Sequence, residues 1–236
     1  MIAVVTGAAK GIGRAIALDL AAQGATVVVH YRHSAEAAKQ VLHQVQIHAP
    51  ASRMMQADLR HNDEVTRLFQ AIHHTYGRLD VLINTIGSFG VYHPISQVTL
   101  EEFDDVISSN VRATLACMQA AIPLLRTSGG GRIINFGCVT AEQTLARKYT
   151  VPYYIAKAGV ITLTKSYASL LAHENITVNC MSPGIVENSL VTQALPMQHP
   201  AKFEDITTAV RWLISPEAKY VSGANLEIAG GWSPNL

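Results

Sequence analysis

No stretch of this sequence approaches the roughly 20 consecutive apolar residues that span a membrane. Its first helical pattern is interrupted by Lys10, Arg14 and Asp19, unlike a signal peptide. Charge is scarce as well. Only 15% of residues are charged, the formal net charge is +1, and neither a basic run nor a repeated aromatic–basic pattern occurs. A nucleic-acid partner is therefore not expected. The three cysteines, Cys117, Cys138 and Cys180, are odd in number and unclustered, which argues against a disulfide frame or zinc site and for a reducing cytoplasm. Ten histidines invite a metal hypothesis, but the only close pair, His73-His74, sits on a polar stretch and reads as a solvated helix face. No metal site is expected. Low-complexity linkers and internal repeats are also missing.

What the chain has is apolar residues, 49% of 236, enough for one sizeable core in a single domain spanning 1–236. Short strand patterns at Ile2–Val5, Thr26–His30, Arg53–Ala57, Leu79–Asn84, Gly131–Gly137, Thr177–Ser182 and Leu226–Ile228 alternate with longer helical ones. The latter lie after the first glycine-rich turn and near 34–48, 62–76, 101–126, 153–173 and 203–214. This alternation predicts an α/β fold, a doubly wound parallel β-sheet flanked by helices. Ligands of such sheets bind beyond the carboxyl ends of the strands. Those ends carry polar or glycine residues: the glycine turn, Asp58-Leu59, Asn84-Thr85-Ile86-Gly87, Cys138, and Ser182-Pro183-Gly184.

The first turn, Thr6-Gly7-Ala8-Ala9-Lys10-Gly11-Ile12-Gly13, has the strand–glycine–helix order of a phosphate cradle. Glycines let backbone approach a pyrophosphate, and free N–H groups at the helix start meet its charge. Tyr153 and Lys157 are four residues apart and share one helix face. An ammonium near a phenol favours phenolate, so Tyr153 is expected to titrate below its usual value of about 10 and to serve as a proton donor or acceptor.

Thr6-Gly7 with Gly11 and Gly13, Asn84 with Gly87, Asn110, Tyr153 with Lys157, and Pro183-Gly184 occur in an order and spacing that resembles the short-chain dehydrogenase/reductase family. The resemblance covers essentially the whole chain and is strongest to carbonyl reductases related to 3-oxoacyl-carrier-protein reductase. It implies a single-domain Rossmann fold, a nicotinamide cofactor, and hydride transfer between a small-molecule carbonyl and its alcohol. It also implies Tyr153 as general acid in reduction, Lys157 on the nicotinamide ribose, and Asn110 holding a water that links Lys157 to solvent. By the same resemblance Gly7, Lys10, Gly11, Ile12 and Gly13 form the cofactor loop. Asp58 and Leu59 contact adenine, Asn84, Ile86 and Gly87 line the adenosine side, and Pro183, Gly184 and Ile185 meet the nicotinamide amide.

The second strand runs into Val29-His30-Tyr31-Arg32-His33 without the acid that usually binds an NAD ribose. Arg32, with Lys10 nearby, suits a 2′-phosphate, so NADP(H) is expected over NAD(H).

The chain departs from the family in three places. Cys138 stands where a serine bonds the substrate carbonyl; a thiol is the weaker donor, and losing an oxyanion donor costs on the order of a hundredfold in turnover. Catalytic use of Cys138 and a small buried residue both stay open, as does recruitment of the Thr140 hydroxyl. Thr85-Ile86 replaces the usual Asn-Ala. The lid between Gly184 and Phe203 is short, with Asn188 where threonine is usual, which puts an acyl-carrier substrate in doubt.

Two alternatives to the carbonyl reductase remain. One is a pteridine-type reductase, with Phe89 and Tyr92 stacking on a flat ring; the other is a catalytically weakened nucleotide-binding scaffold. Apolar helices 101–126 and 153–173, and a tail from Leu226 to Leu236 with Trp232, Pro234 and Leu236, lead us to expect a homotetramer or homodimer.

Overall fold

The computed structural model describes residues 1–189 and 194–234. Seven parallel strands form one sheet: β1 (Ile2–Thr6), β2 (Thr26–Tyr31), β3 (Arg53–Gln56), β4 (Val81–Asn84), β5 (Gly131–Phe136), β6 (Ile176–Pro183) and β7 (Asn225–Ile228). Their spatial order is β3-β2-β1-β4-β5-β6-β7, so the chain reverses direction across the sheet between β1 and β4. That switch point is where a doubly wound sheet opens a ligand crevice.

Strand residues alternate between two cores, which is why the strands read as unbroken apolar runs. Ala3, Val5, Val27, Val29, Ile83 and Ile134 pack on one face with α1 (Gly11–Ala22), α2 (Ala35–Gln46) and α7 (Phe203–Ile214). On the other face Val4, Val28, Leu82 and Ile133 meet α3 (Asn62–Tyr76), α5 (Ala113–Thr127) and the C-terminal part of α6 (Val151–Leu171). Fully burying each Val, Leu or Ile contributes about 1.5–3 kcal/mol. Among the described residues no helix is long and apolar enough to cross a membrane.

The expected helix at 101–126 is not one uniform helix. A first helix, α4 (Leu100–Ile107), opens on a capping box in which Thr99 and Glu102 satisfy each other's backbone N–H. It continues into a π-helical segment, Ser108–Arg112, and only then into α5. The buried Asn110 amide causes a local conflict: its Nδ2 donates to the Val106 carbonyl at 2.9 Å, competing with regular backbone pairing. Helix α6 starts two residues before its predicted position, with Pro152 in its first turn and Thr150 at φ 57 ahead of it.

Candidate active site

The glycine loop is built by close approach. A Cβ on Gly13 would lie 2.5 Å from the Gly7 carbonyl oxygen, so only glycine lets α1 start against β1. Gly7 itself takes φ 67, a left-handed conformation glycine adopts without strain. A residue absent from the sequence expectations holds this turn. His30, 2% exposed, accepts from the Gly7 N–H through Nδ1 at 3.0 Å. Its Nε2 lies 3.0 Å from the Ala57 carbonyl. An amide only donates and a carbonyl only accepts, so the ring is neutral with its proton on Nε2. Burial pushes its pKa down to about 4, against smaller opposing effects from Ala57 and Asp58. A histidine inside an otherwise β-branched strand end was the signal available for it.

Beside the loop runs a groove of about 300 Å³, lined by Gly7, His30, Arg32, Asp58, Leu59, Arg60, Ile86, Gly87 and others. Arg60 grips Asp58 at 2.6 Å and holds the carboxyl down at about 2. Arg32 lies 3.9 Å from the same carboxylate, a looser pairing that leaves its guanidinium partly exposed in the groove. Arg60 is thus a second groove cation that the sequence reading passed over. Lys10 does not line the groove; it precedes α1 in extended conformation with an exposed side chain. Asn84 also lies elsewhere. It is 1% exposed and donates to Asn135 Oδ1 across the sheet at 2.9 Å, so it ties β4 to β5 rather than facing the groove. Thr85, in the place of the usual asparagine, donates its N–H to the Thr6 hydroxyl and its own hydroxyl to the Thr6 carbonyl, locking the β1 and β4 ends together.

The groove meets, at Gly87, a larger cavity of about 660 Å³ that contains Ile12, Cys138, Tyr153, Lys157, Pro183, Gly184 and Ile185. Gly87 is a tight spacer. A Cβ there would lie 2.0 Å from Asn110 Oδ1 and 3.1 Å from Lys157 Nζ, which puts those two atoms no more than about 5 Å apart. Asn110 Nδ2 also donates to the Ser88 carbonyl at 2.9 Å, while its buried Oδ1 has no partner among the described residues. Lys157, buried, donates to the Phe136 carbonyl at 2.8 Å. Its ammonium is pushed down to about 8 by loss of hydration.

The Tyr153–Lys157 pair shares a face, with Nζ 5.6 Å from the ring centre. The electrostatic outcome differs from the expectation. Burial, followed by the charge of Cys138, pushes the Tyr153 phenol well above its usual 10. Each loses hydration on folding, Lys157 within the core and Tyr153 against the cavity wall, and so each resists charging. Cys138 is partly exposed in the cavity and its thiol is pushed up by burial, with Tyr154 and Tyr153 hydrogen-bonded to it. Thr140 is not recruited to the cavity: it is buried at φ 61, and its hydroxyl accepts from Arg147 at 2.7 Å.

The lid is anchored at both ends. Val186 and Ala201 form a bridge, with Glu187 N–H donating to the Ala201 carbonyl at 2.9 Å and Ala201 N–H to the Ile185 carbonyl at 2.9 Å. Asn188 lines the larger cavity; residues 190–193 of the lid lie outside the described set. Trp232 and Pro234 of the tail line the same cavity, and Leu236 lies outside the described residues.

Known proteins resemble this chain in sequence and fold. Residues 7–233 match the family described as enoyl-(acyl carrier protein) reductase. The 3-oxoacyl-acyl-carrier-protein reductase FabG of Staphylococcus aureus is 34% identical over 97% of this chain and 96% of its own length. An oxidoreductase of Escherichia coli, YgfF, is 32% identical over 98% and 99%. The solved structure of acetoin dehydrogenase from Enterobacter cloacae superimposes with a TM-score of 0.89 at 27% identity, covering 100% of this chain and 98% of that one. With its seven-stranded Rossmann sheet and these relatives, the chain belongs to the short-chain dehydrogenase/reductase family of oxidoreductases.

Proposed function

We propose that this protein reduces a ketone or 3-oxoacyl-type carbonyl to an alcohol with NADP(H), Tyr153 delivering the proton. The observation that carries the reading is the convergence of Tyr153, Lys157 and Cys138 on one cavity that joins the glycine-loop groove at Gly87. The residues suit a dinucleotide: Gly13 leaves no room for a Cβ, Gly7 turns the loop at positive φ, and Arg32 and Arg60 set two cations in the adjoining groove. Gly7, Gly11, Ile12 and Gly13 would hold the diphosphate, and Arg32 and Arg60 the 2′-phosphate. Asp58, Leu59 and Ile86 would flank the adenosine, and Pro183, Gly184 and Ile185 the carboxamide. Once bound, the nicotinamide supplies the hydride.

The protein's own part is proton supply and orientation. A phenol held well above its usual pKa keeps its proton at neutral pH, so Tyr153 enters the reduction in donor form. Lys157 sets its charge beside the Tyr153 ring and would hold the ribose hydroxyls. Lys157 Nζ and Asn110 Oδ1 lie no more than about 5 Å apart, within the reach of a single bridging water, which supports a relay returning protons to Tyr153. Cys138 offers the carbonyl a weak donor in place of a hydroxyl.

A second reading, pteridine-type reduction, draws on the aromatic wall: Phe89 lies 4.9 Å from Tyr153, and Tyr92 stacks on Tyr149 at 4.7 Å. NADPH oxidation over a panel of ketones, quinones and dihydropteridines separates the readings. Turnover on ketones is expected, with Tyr153→Phe lowering it by about 10²–10⁴ while NADPH still binds. Silence of the wild type and of Cys138→Ser, with NADPH bound, would instead identify a nucleotide-binding scaffold. We also infer self-association through α6, whose Ile155 and Leu170 are exposed, to be tested by sedimentation. The three free thiols fit a reducing cytoplasm.

A further inference from the structure

We propose that the catalytic cavity selects substrates bearing a carboxylate a few carbon atoms from the carbonyl, and that Arg147 binds that carboxylate. This rests on the carbonyl-reductase reading above and names its substrate class.

Arg147 lies on the segment between β5 and α6, and its guanidinium carbon sits 3.3 Å from the Tyr154 ring centre. One of its N–H groups donates to Thr140 Oγ1 at 2.7 Å. Thr140 is held in turn, since its own N–H donates to Glu227 Oε1 of β7 at 2.9 Å. The guanidinium is therefore fixed by an aromatic face on one side and a buried hydroxyl at its edge. Only one of its five donors is used, and among the described residues it makes no ion pair.

The Tyr153 cavity has one sign. Arg147, Lys148 and Lys157 line it, and none of the residues lining it is aspartate or glutamate. A second cavity that Arg147 also borders carries Glu142, whose carboxylate is already taken by Lys165 and Asn225. Arg147 is half-buried, so a carboxylate would meet a guanidinium already partly stripped of water. A planar fork with its edge free matches a carboxylate, and its prior fixation lowers the ordering cost of binding. Reach is also suitable. The Tyr154 and Tyr153 ring centres are 5.9 Å apart, so the guanidinium carbon stands within about 9 Å of the Tyr153 ring. A short oxo acid spans that interval, and Phe89, Tyr92 and Tyr149 offer a flat apolar group a wall.

The test compares 3-benzoylpropionate with its methyl ester as NADPH-dependent substrates, and measures calorimetric binding of 3-benzoylpropionate to the protein loaded with NADP⁺. In Arg147→Met the acid-to-ester ratio of kcat/KM is expected to fall about tenfold or more, the scale of a bidentate charge-assisted pair. Binding of the acid should weaken to match, and Arg147→Lys should restore part of both. The ratio cancels any general damage from disturbing Tyr154, and a retained thermal midpoint excludes misfolding. An unchanged ratio with the ester still reduced overturns the carboxylate site and leaves the reductase reading standing. Failure of the acid to bind the wild type also overturns it. Reduction of neither ketone, with acid binding that depends on Arg147, sinks the reductase reading and keeps the site.

Discussion

Acidification from pH 7 to pH 5 is expected to cost this protein about 2 kcal/mol of stability through His30 alone. The folded ring has its pKa lowered to about 4, from 6.5, because burial disfavours the imidazolium. The unfolded chain therefore takes up the proton first. The stabilisation is complete above pH 6.5 and is lost as the pH falls towards 4, to a total of about 3 kcal/mol. Protonation also turns Nδ1 from acceptor to donor, facing the Gly7 N–H that it now accepts from. The cofactor loop should loosen in the same pH window. Urea unfolding of the wild type and of His30→Gln at pH 7, 6 and 5 isolates the contribution, since other groups titrate equally in both. The stability difference between them should shrink by about 2 kcal/mol between pH 7 and 5, with NADPH affinity falling in parallel in the wild type only. Parallel stability curves would refute the argument, for His30 would then titrate alike in both states.

Other perturbations test the remaining links. Gly13→Ala forces a Cβ to within 2.5 Å of the Gly7 carbonyl and should cost about 1–3 kcal/mol by thermal unfolding, with NADPH binding lost by fluorescence titration. Cys138→Ser restores a hydroxyl donor and should raise kcat by about tenfold or more on any ketone the wild type reduces, and a fall would show that the thiol is fitted to its substrate. Arg32→Ala should shift the NADPH-to-NADH preference by about tenfold towards NADH, and an unmoved ratio would assign the 2′-phosphate to Arg60 instead.

Much of this was legible because it is local. Glycines at fixed offsets, a Tyr–Lys pair one helical turn apart and alternating apolar runs each follow from a single element's geometry. What escaped required knowing which elements meet. Asn84 looked like a rim residue by position, yet the sheet register sets it opposite Asn135, where an amide pair across two strands is satisfied. The Tyr153 phenol was expected to fall because the spacing shows the lysine and not the dehydrated pocket shared by both. Arg60 and Arg147 lie in connections without periodicity, where a cation's partner depends on distant chain. Apolar spacing over 101–126 likewise gave no sign of a one-residue change in winding.

That change in winding sets a trade between robustness and chemistry. The π-helical Ser108–Arg112 is a sidestep of the backbone between two regular helices. Deleting one residue there would let α4 and α5 merge into a continuous rod, a gain for the helix. The flanking faces would keep their register, because the extra residue of a π-turn is a local insertion, but the turn that carries the Asn110 amide to the Ser88 and Val106 carbonyls would be lost. The irregular turn is thus the hinge of a compromise. Regular winding and the seating of Asn110 against Ser88 make opposite demands on the same five residues.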